Sequence, residues 1–149
     1  MENKSSRTFD LLTLGQVLLR LSPPDNERLS RGDTFVKQVG GAELNVAVGA
    51  SLLGLHTGVI SKLPAHDIGS FMKGKIRSFG VSDDFFMYDH SAGARLGIYY
   101  YENGAYPRKP KVIYDRQHSS FFSLSLDENP EEVYTASKCF HTTGITLAL

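Results

Sequence analysis

Short apolar runs alternate with helical patterns along the chain, and this alternation limits the possible folds more than any single motif does. The predicted elements follow the order strand 8–14, helix 42–53, strand 56–61, helix 68–79 and strand 81–88. Strands that alternate with helices in this way form a parallel sheet with right-handed crossovers. The sequence therefore predicts an α/β fold.

The first predicted helix follows the glycine pair 40–41. Its large apolar residues recur at the spacing of one helical face, and they are Leu44, Val48, Leu52 and Leu55. Gly54 stands where such a helix commonly ends. The second helix is predicted to start from Asp67, whose carboxylate can accept a hydrogen bond from the first turn as an N-cap.

Four further segments are rich in strand-forming residues and interrupt the alternating order. They are residues 17–21, 34–39, 95–102 and 111–116. The last two flank a loop with glycine and proline, which predicts an antiparallel hairpin. Later in the chain, Asn129 as N-cap and Pro130 at the first helical position predict a short helix, followed by a strand near 138–141.

Charge and cysteine content exclude several classes of function. Sixteen basic residues balance sixteen acidic ones, so no net charge would attract nucleic acid or an anionic membrane. No apolar stretch approaches the roughly 18 residues of a membrane-spanning helix. Cys139 is the only cysteine, so an intrachain disulfide is excluded, and we expect this thiol to be buried. The five histidines show no metal spacing, so no metal site is predicted. The single cysteine and the polar start of the sequence, residues 1–8, lead us to expect a cytoplasmic location.

The start of the first predicted helix can bind an oxygen-rich ligand. Gly40 and Gly41 allow a ligand to approach the backbone closely, and the free N–H groups of the first turn attract oxygen atoms. Gly41, Asn45 and Gly49 share one helical face without bulky side chains. A simple tight turn with a locally bonded asparagine explains the same residues. The segment VGGAEL does not fit the dinucleotide pattern G-x-G-x-x-G, and no Walker-type loop occurs.

The predicted hairpin brings phenols and a guanidinium to one surface. Alternation places Tyr99 and Tyr101 on one face of its first strand, and Tyr114 and Arg116 on one face of its second. Arginine forms paired hydrogen bonds with a carboxylate, and tyrosine offers a hydroxyl and a stacking surface. These residues therefore indicate a site for a small acid. An apolar hairpin face with a solvated arginine is the alternative.

Several segments together resemble the PfkB (ribokinase-like) carbohydrate kinases. The segment GGAELNVAVGASLLG carries the glycine pair, the asparagine and the spaced small residues of the family's N-terminal signature. The matching residues are Gly40, Gly41, Asn45, Ala47, Gly54 and Gly69. Five more segments are similar to the 2-keto-3-deoxygluconate kinase branch, namely GQVLLRLSPPDNERLS, KLPAHDIG, RLGIYYYENGA, KVIYDRQHS and HTTGIT.

The resemblance implies a ribokinase-like, doubly wound sheet with a small antiparallel β lid, formed by segments 17–21, 34–39, 95–102 and 111–116. It also implies a set of substrate-binding residues, which are Gly41, Asn45, Tyr99, Tyr114, Arg116 and Ile145. Among them, Arg116 would hold the carboxylate of a sugar acid. Neutral-sugar relatives often place an acidic residue just after the first strand, whereas residues 15–22 offer only Gln16 and Arg20. This difference favours an acidic sugar.

The resemblance also implies that part of the kinase lies outside this sequence. Residues 1–149 would form the N-terminal part of the kinase domain, because the glycine-rich G-A-G-D turn with the catalytic aspartate is absent. ATP and Mg²⁺ are implied as cofactors, with their binding residues outside this chain. The apolar ending TTGITLAL, directly after a strand, likewise leads us to expect a truncated chain. We expect the 149-residue chain alone to be inactive.

Three functions are compatible with these observations. The leading hypothesis is ATP-dependent phosphorylation of 2-keto-3-deoxygluconate or a related sugar acid. The alternatives are a non-catalytic sugar-acid binding or interaction fragment, and a PfkB kinase for a neutral sugar. The expected partners are a small sugar acid and a second copy of the chain that pairs through the β lid.

Overall fold

The computed structural model describes residues 8–128 and 131–149. The strands in this part of the chain are β1 (Phe9–Leu14), β2 (Leu18–Ser22), β3 (Val36–Gly40), β4 (Thr57–Pro64), β5 (Phe86–Asp89), β6 (Gly97–Glu102), β7 (Lys111–Asp115) and β8 (Ser137–His141). The α-helices are α1 (Ala42–Leu52), α2 (Asp67–Arg77), α3 (Glu131–Thr135) and α4 (Gly144–Leu147). Two short 3-10 turns span Ser120–Ser123 and Leu126–Glu128.

The first sheet has the strand order β5-β4-β1-β8, and its strand pairs are parallel. Its two central strands are covered on both faces. Leu12 of β1 and Val59, Ile60 and Leu63 of β4 are fully buried. Strands of this kind have nearly continuous apolar sequences because neither face meets water. The α/β prediction is confirmed.

Helices α1 and α2 bury apolar side chains in the same core as β4. Leu44 and Ala47 of α1 are buried there together with Met72 and Ile76 of α2. Helix α1 also contacts β1 directly. Helix α1 forms where the apolar spacing predicts it, but only Leu44 of its predicted apolar face is buried, whereas Leu52 and Leu55 are exposed. Helix α1 ends one residue and α2 two residues earlier than predicted.

The predicted N-cap of α2 is wrong by one residue. The N–H of Ile68 donates to Nδ1 of His66 at 3.2 Å, so His66 is the N-cap and Asp67 is the first helical residue. Asp67 is nevertheless favourable in the first turn, because a negative charge there interacts with the positive end of the helix dipole.

Two other expectations also differ from the structure. Cys139 is exposed rather than buried, because it lies on the edge strand β8, where residues 138–140 are all exposed. The strand predicted over 81–88 begins only at Phe86, because the N–H of Phe86 donates to the Asp83 carbonyl and closes a turn before it. The predicted cap residues Asn129 and Pro130 lie outside the described residues, and α3 follows them.

The second sheet has the strand order β3-β2-β6-β7. All four segments predicted for the β lid contribute to it. The pairs β2–β3 and β6–β7 are antiparallel, so the predicted hairpin is confirmed, whereas β2 and β6 run parallel and make the sheet mixed. That this sheet acts as a lid stays a prediction.

The two sheets meet where β1 leads into β2. Only residues 15–17 separate these strands, and the N–H of Gly15 still donates to the Ile60 carbonyl of the first sheet. The carboxyl end of β1 therefore opens directly beside the second sheet. Crevices at the carboxyl ends of parallel strands are the usual ligand sites of α/β proteins.

Candidate functional site

A cavity of about 440 Å³ lies between the start of α1, the second sheet and α4. All six predicted substrate-binding residues line it, and they are Gly41, Asn45, Tyr99, Tyr114, Arg116 and Ile145. The other lining residues are Gln16, Leu18, Arg20, Ala42, Glu43, Tyr101, Val112 and Thr146. Residues that are up to 130 positions apart in the sequence therefore face one space.

The start of α1 forms one wall of the cavity, and it requires glycine. Gly41 has a φ of 135°, and a Cβ there would lie 2.7 Å from the carbonyl oxygen of Gln16. A Cβ on Gly40 would lie 2.5 Å from the hydroxyl oxygen of Tyr99. The glycine pair thus lets α1 begin in close contact with the backbone of Gln16 and the side chain of Tyr99. Asn45, one turn later, carries an exposed side chain at the cavity.

Two tyrosines of the hairpin form the opposite wall. Tyr99 pairs with Tyr114 in the β6–β7 register, and their ring centroids lie 5.8 Å apart. Burial raises the pKa of the Tyr99 phenol, although the charge of Arg20 acts in the opposite direction. Tyr99 therefore keeps its hydroxyl proton at neutral pH, and this group can donate a hydrogen bond to a ligand as well as accept one.

Arg116 is half-buried beside this tyrosine pair. Its guanidinium carbon lies 5.9 Å from the Tyr114 ring centroid, and its buried Nε has no hydrogen-bond partner within residues 8–128 and 131–149. Over the same residues it forms no ion pair, whereas Arg95 contacts Asp115 at 2.8 Å and Arg108 contacts Glu102 at 3.4 Å. An unpaired guanidinium in a cavity is suited to bind a carboxylate through paired hydrogen bonds.

Glu43 is a buried acid of the cavity wall to which sequence reasoning gave no role. Its Oε1 accepts hydrogen bonds from the Thr143 N–H at 3.1 Å, from the Thr143 hydroxyl at 2.6 Å and from the Thr146 hydroxyl. Burial alone would raise the pKa of Glu43, but these donors outweigh it and hold the pKa below the ordinary value of 4.5. The carboxylate therefore stays ionised and joins α1 to the segment that carries Ile145.

Gln16 and Arg20 also reach the cavity. Gln16 is buried, and its Nε2 donates to the Ser119 hydroxyl at 2.6 Å and to the Arg116 carbonyl at 3.4 Å. Its Oε1 is buried without a partner in the described part of the chain. Arg20 Nε donates to the Ser22 hydroxyl at 2.9 Å. The sequence pointed to these two residues only by their place after the first strand.

The sequence of this chain matches the pattern of a known protein family. The pattern of the pfkB family carbohydrate kinases matches residues 8–149, which is nearly the whole chain. The chain belongs to the pfkB family. The resemblance seen in the glycine pair, the asparagine and the hairpin segments is thereby confirmed.

Two relatives of this pfkB chain are named as kinases of keto sugar acids. A 2-dehydro-3-deoxygalactonokinase of Haloferax volcanii is 38% identical over 142 residues, which are 95% of this chain and 44% of the relative. The 5-dehydro-2-deoxygluconokinase 1 of Bacillus cereus is 30% identical over 146 residues, which are 97% of this chain and 43% of the relative. The pfkB chain therefore spans less than half the length of these relatives.

Solved structures of the family share the fold. The 2-dehydro-3-deoxygluconokinase of Thermotoga maritima has a TM-score of 0.86 at 39% identity, and the match covers 91% of this chain and 41% of that one. A sugar kinase of Pyrococcus horikoshii in complex with ATP has a TM-score of 0.76 at 22% identity, with 87% of this chain and 41% of that chain covered. The second likeness shows the fold alone. The ribokinase-like prediction is confirmed.

Two histidines in the described part of this pfkB chain have structural contacts. His56 stacks on Phe9 with ring centroids 4.3 Å apart, and His66 caps α2. Over residues 8–128 and 131–149, no three histidine, cysteine or acidic side chains cluster to hold a metal ion. None of the helices in this part of the chain is long and apolar enough to span a membrane.

Proposed function

We propose that this chain forms the sugar-acid-binding side of an ATP-dependent kinase for 2-keto-3-deoxygluconate or a related sugar acid. The observation that carries this proposal is the unpaired guanidinium of Arg116 in a cavity shared with Gly41 and Asn45. An acid held by Arg116 lies in the same cavity as the start of α1. The named relatives, whose substrates are keto sugar acids, support the same class of ligand.

Each predicted substrate-binding residue has a distinct role in this proposal. Arg116 binds the carboxylate through paired hydrogen bonds. Tyr99 and Tyr114 provide hydroxyl groups and a flat wall for the carbon chain. Gly41 leaves room for the ligand at the helix start, and Asn45 offers both a donor and an acceptor to sugar hydroxyls. Ile145 supplies an apolar contact from α4, and apolar contacts of this kind are usual in small-molecule sites.

The phosphoryl-transfer part of the proposal rests on residues outside this chain. The 149 residues contain no G-A-G-D turn, so we propose that the catalytic aspartate and the residues that bind ATP and Mg²⁺ belong to a further segment. ATP would supply the phosphoryl group, and Mg²⁺ would neutralise its charge. Within this chain, the cavity residues bind the acceptor sugar, orient it and shield it from water.

A second candidate function is sugar-acid binding without phosphoryl transfer. It is favoured by one observation, namely that the cavity side chains lie within this chain while the G-A-G-D turn does not. The two candidates make the same prediction for ligand binding. They differ in whether a longer product of the same reading frame transfers a phosphoryl group.

Isothermal titration calorimetry tests the binding site. We expect 2-keto-3-deoxygluconate to bind the chain, and Arg116→Ala to weaken this binding by about tenfold or more, because a charged pair is lost. Arg28→Ala is the matched control, since Arg28 is exposed and does not line the cavity. Equal affinity of the Arg116→Ala variant and the unsubstituted chain would remove Arg116 from the site.

We also propose a cytoplasmic location and a homo-oligomer that forms through the second sheet. The edge strand β7 is exposed along its whole length, and Phe35 and Val36 at the other edge expose large apolar side chains. Exposed strand edges readily pair with another chain. Light scattering on the purified chain should give a mass above that of the monomer, and Ile113→Glu on β7 should reduce it. A monomeric mass for the unsubstituted chain would refute this arrangement.

A further inference from the structure

We propose that Arg20 is a second specificity-determining guanidinium of the cavity, which selects an anionic sugar together with Arg116. This inference rests on the proposed function, because it concerns the same ligand site. Arg20 lies on β2, whereas Arg116 follows β7 at the far side of the second sheet. The two arginines would therefore bind different groups of one ligand.

The Arg20 side chain is held in place at the cavity. Its Nε donates to the Ser22 hydroxyl at 2.9 Å, and its guanidinium carbon lies 4.2 Å from the ring centroid of Tyr101. A guanidinium that stacks on an aromatic ring, bonds through Nε and also interacts with the Tyr99 phenol is held in one orientation, and its remaining N–H groups are available to another acceptor. Less conformational entropy is then lost when a ligand binds.

No acidic side chain neutralises Arg20 in the described part of the chain. The arginines that form ion pairs there contact Asp83, Asp115 and Glu102. The one carboxylate of the cavity wall belongs to Glu43, and three donors from Thr143 and Thr146 bind its Oε1. The wall therefore carries two unpaired guanidinium groups and one carboxylate that is already engaged, so it favours a negatively charged ligand.

The strand register separates the two guanidinium groups across Tyr99. Arg20 pairs with Tyr99, Tyr99 pairs with Tyr114, and Arg116 lies two residues after Tyr114 on the same face. The strands β2 and β7 are two positions apart in the sheet, which is roughly 10 Å. A sugar acid that lies over Tyr99 thus presents its carboxylate to Arg116 and the oxygen atoms of its other end to Arg20.

The alternative is that Arg20 only stabilises the second sheet through Tyr101. In that case its replacement would change thermal stability but would not change how binding depends on charge. Three substitutions separate the two roles. Arg20→Ala removes the side chain, Arg20→Gln keeps much of its length without the charge, and Arg20→Lys keeps the charge without the planar fork.

The test measures the dissociation constant of 2-keto-3-deoxygluconate by calorimetry at about 50 mM and about 300 mM NaCl, since screening weakens contacts between charges. We expect Arg20→Ala and Arg20→Gln to bind about fivefold to tenfold more weakly at low salt and to lose part of the salt dependence. Arg20→Lys should recover part of the affinity and part of its salt dependence. Arg31→Ala, at an exposed arginine outside the cavity, should leave both unchanged.

The outcomes distinguish this inference from the proposed function. If Arg116→Ala weakens binding while Arg20→Ala and Arg20→Gln stay within about twofold of the unsubstituted chain, the role of Arg20 is refuted and the proposed function stands. A loss of affinity that is equal in all three Arg20 variants, and that follows their melting temperatures, also refutes it. If the unsubstituted chain binds no sugar acid, the proposed function and this inference both fail.

Discussion

Gly41 is the residue whose backbone most strictly limits substitution at the site. Its φ of 135° lies in the region that favours glycine, and a Cβ would meet the carbonyl oxygen of Gln16 at 2.7 Å. Two independent constraints, conformation and space, therefore coincide at the position where α1 begins. The sequence showed the glycine pair, but only the fold shows that Gln16 is the neighbour.

We expect Gly41→Ala to destabilise the chain by about 1–3 kcal/mol, because the backbone strain cannot relax without moving β1 from α1. Binding of 2-keto-3-deoxygluconate should weaken as well. Urea unfolding and calorimetry measure the two effects. Gly49→Ala is the matched control: nothing lies within 4 Å of its Cβ position, so alanine should stabilise α1 by about 1 kcal/mol. Equal stability of both variants would contradict this account.

Glu43 makes the stability of the fold depend on pH. Its pKa is lower in the folded chain than the ordinary value of 4.5, so its contribution is present above that value and is lost as pH falls through the lowered pKa. We expect the free energy of unfolding to fall less steeply below about pH 4.5 in Glu43→Gln than in the unsubstituted chain. At neutral pH this variant should be less stable by about 1 kcal/mol.

Urea unfolding at several pH values between about 3.5 and 7 measures this difference. Asp10 and Glu128 also have lowered pKa values, so the unsubstituted chain loses stability in acid from these groups too. The difference in the free energy of unfolding between Glu43→Gln and the unsubstituted chain therefore isolates the contribution of Glu43. Parallel pH profiles for Glu43→Gln and the unsubstituted chain would show that the bonds to Thr143 and Thr146 do not stabilise the fold.

At the scale of elements, the segment after β1 supports the segment after β7. Gln16 Nε2 donates to the Ser119 hydroxyl at 2.6 Å and to the Arg116 carbonyl at 3.4 Å. Through these bonds the turn between the sheets fixes the backbone that carries Arg116.

We expect Gln16→Ala to weaken binding of 2-keto-3-deoxygluconate by about threefold to tenfold, because the backbone that carries Arg116 loses a support. Calorimetry measures this change. Gln117→Ala is the control, since Gln117 follows Arg116 directly but its side chain is exposed. If both variants bind alike, the bonds of Gln16 do not position the arginine.

The helices and strands are the part of the fold that the sequence predicts best. Apolar spacing identified α1 and α2, because a helix that covers a sheet must bury one stripe of its surface. Alternation along β6 and β7 placed Tyr99, Tyr114 and Arg116 on one face, since side chains in a strand change sides at every residue. Capping was less predictable. An aspartate and the histidine before it can both accept the same N–H, and only the backbone decides between Asp67 and His66.

For the whole molecule, we propose that the chain carries the sugar-binding side of a kinase domain. It spans 44% and 43% of the two relatives compared with it. We expect the 149-residue chain to show no ATP-dependent turnover of 2-keto-3-deoxygluconate, because the 149 residues lack the G-A-G-D turn. A coupled assay for ADP measures this. Turnover by the purified chain would refute the expectation.

The DNA after codon 149 provides the complementary test. If the reading frame continues, we expect the longer product to phosphorylate the sugar acid and Arg116→Ala to reduce its kcat/KM by about tenfold or more. A longer product that binds the acid but transfers no phosphoryl group would support the binding function instead. A longer product that neither binds nor phosphorylates a sugar acid would refute both candidates.

The fold class could be predicted from the sequence alone, and the chemical character of the site stays a prediction. Periodicity is a local property, and it records which side of each element must avoid water. The glycine pair, the asparagine and the tyrosine and arginine alternation could therefore be read directly. The six site residues could be brought into one hypothesis only through the family resemblance, because no local pattern relates Gly41 to Ile145.

Which distant groups meet could not be predicted from the sequence, because it depends on how the strands pair and pack. The bonds of Glu43 to Thr143 and Thr146 join residues 100 and 103 positions apart, and those of Gln16 to Arg116 and Ser119 join residues 100 and 103 positions apart. Such contacts depend on the parallel pairing of β2 with β6 and on the order of strands in each sheet. Many pairings satisfy the same local pattern, and the packing of the two sheets selects one of them.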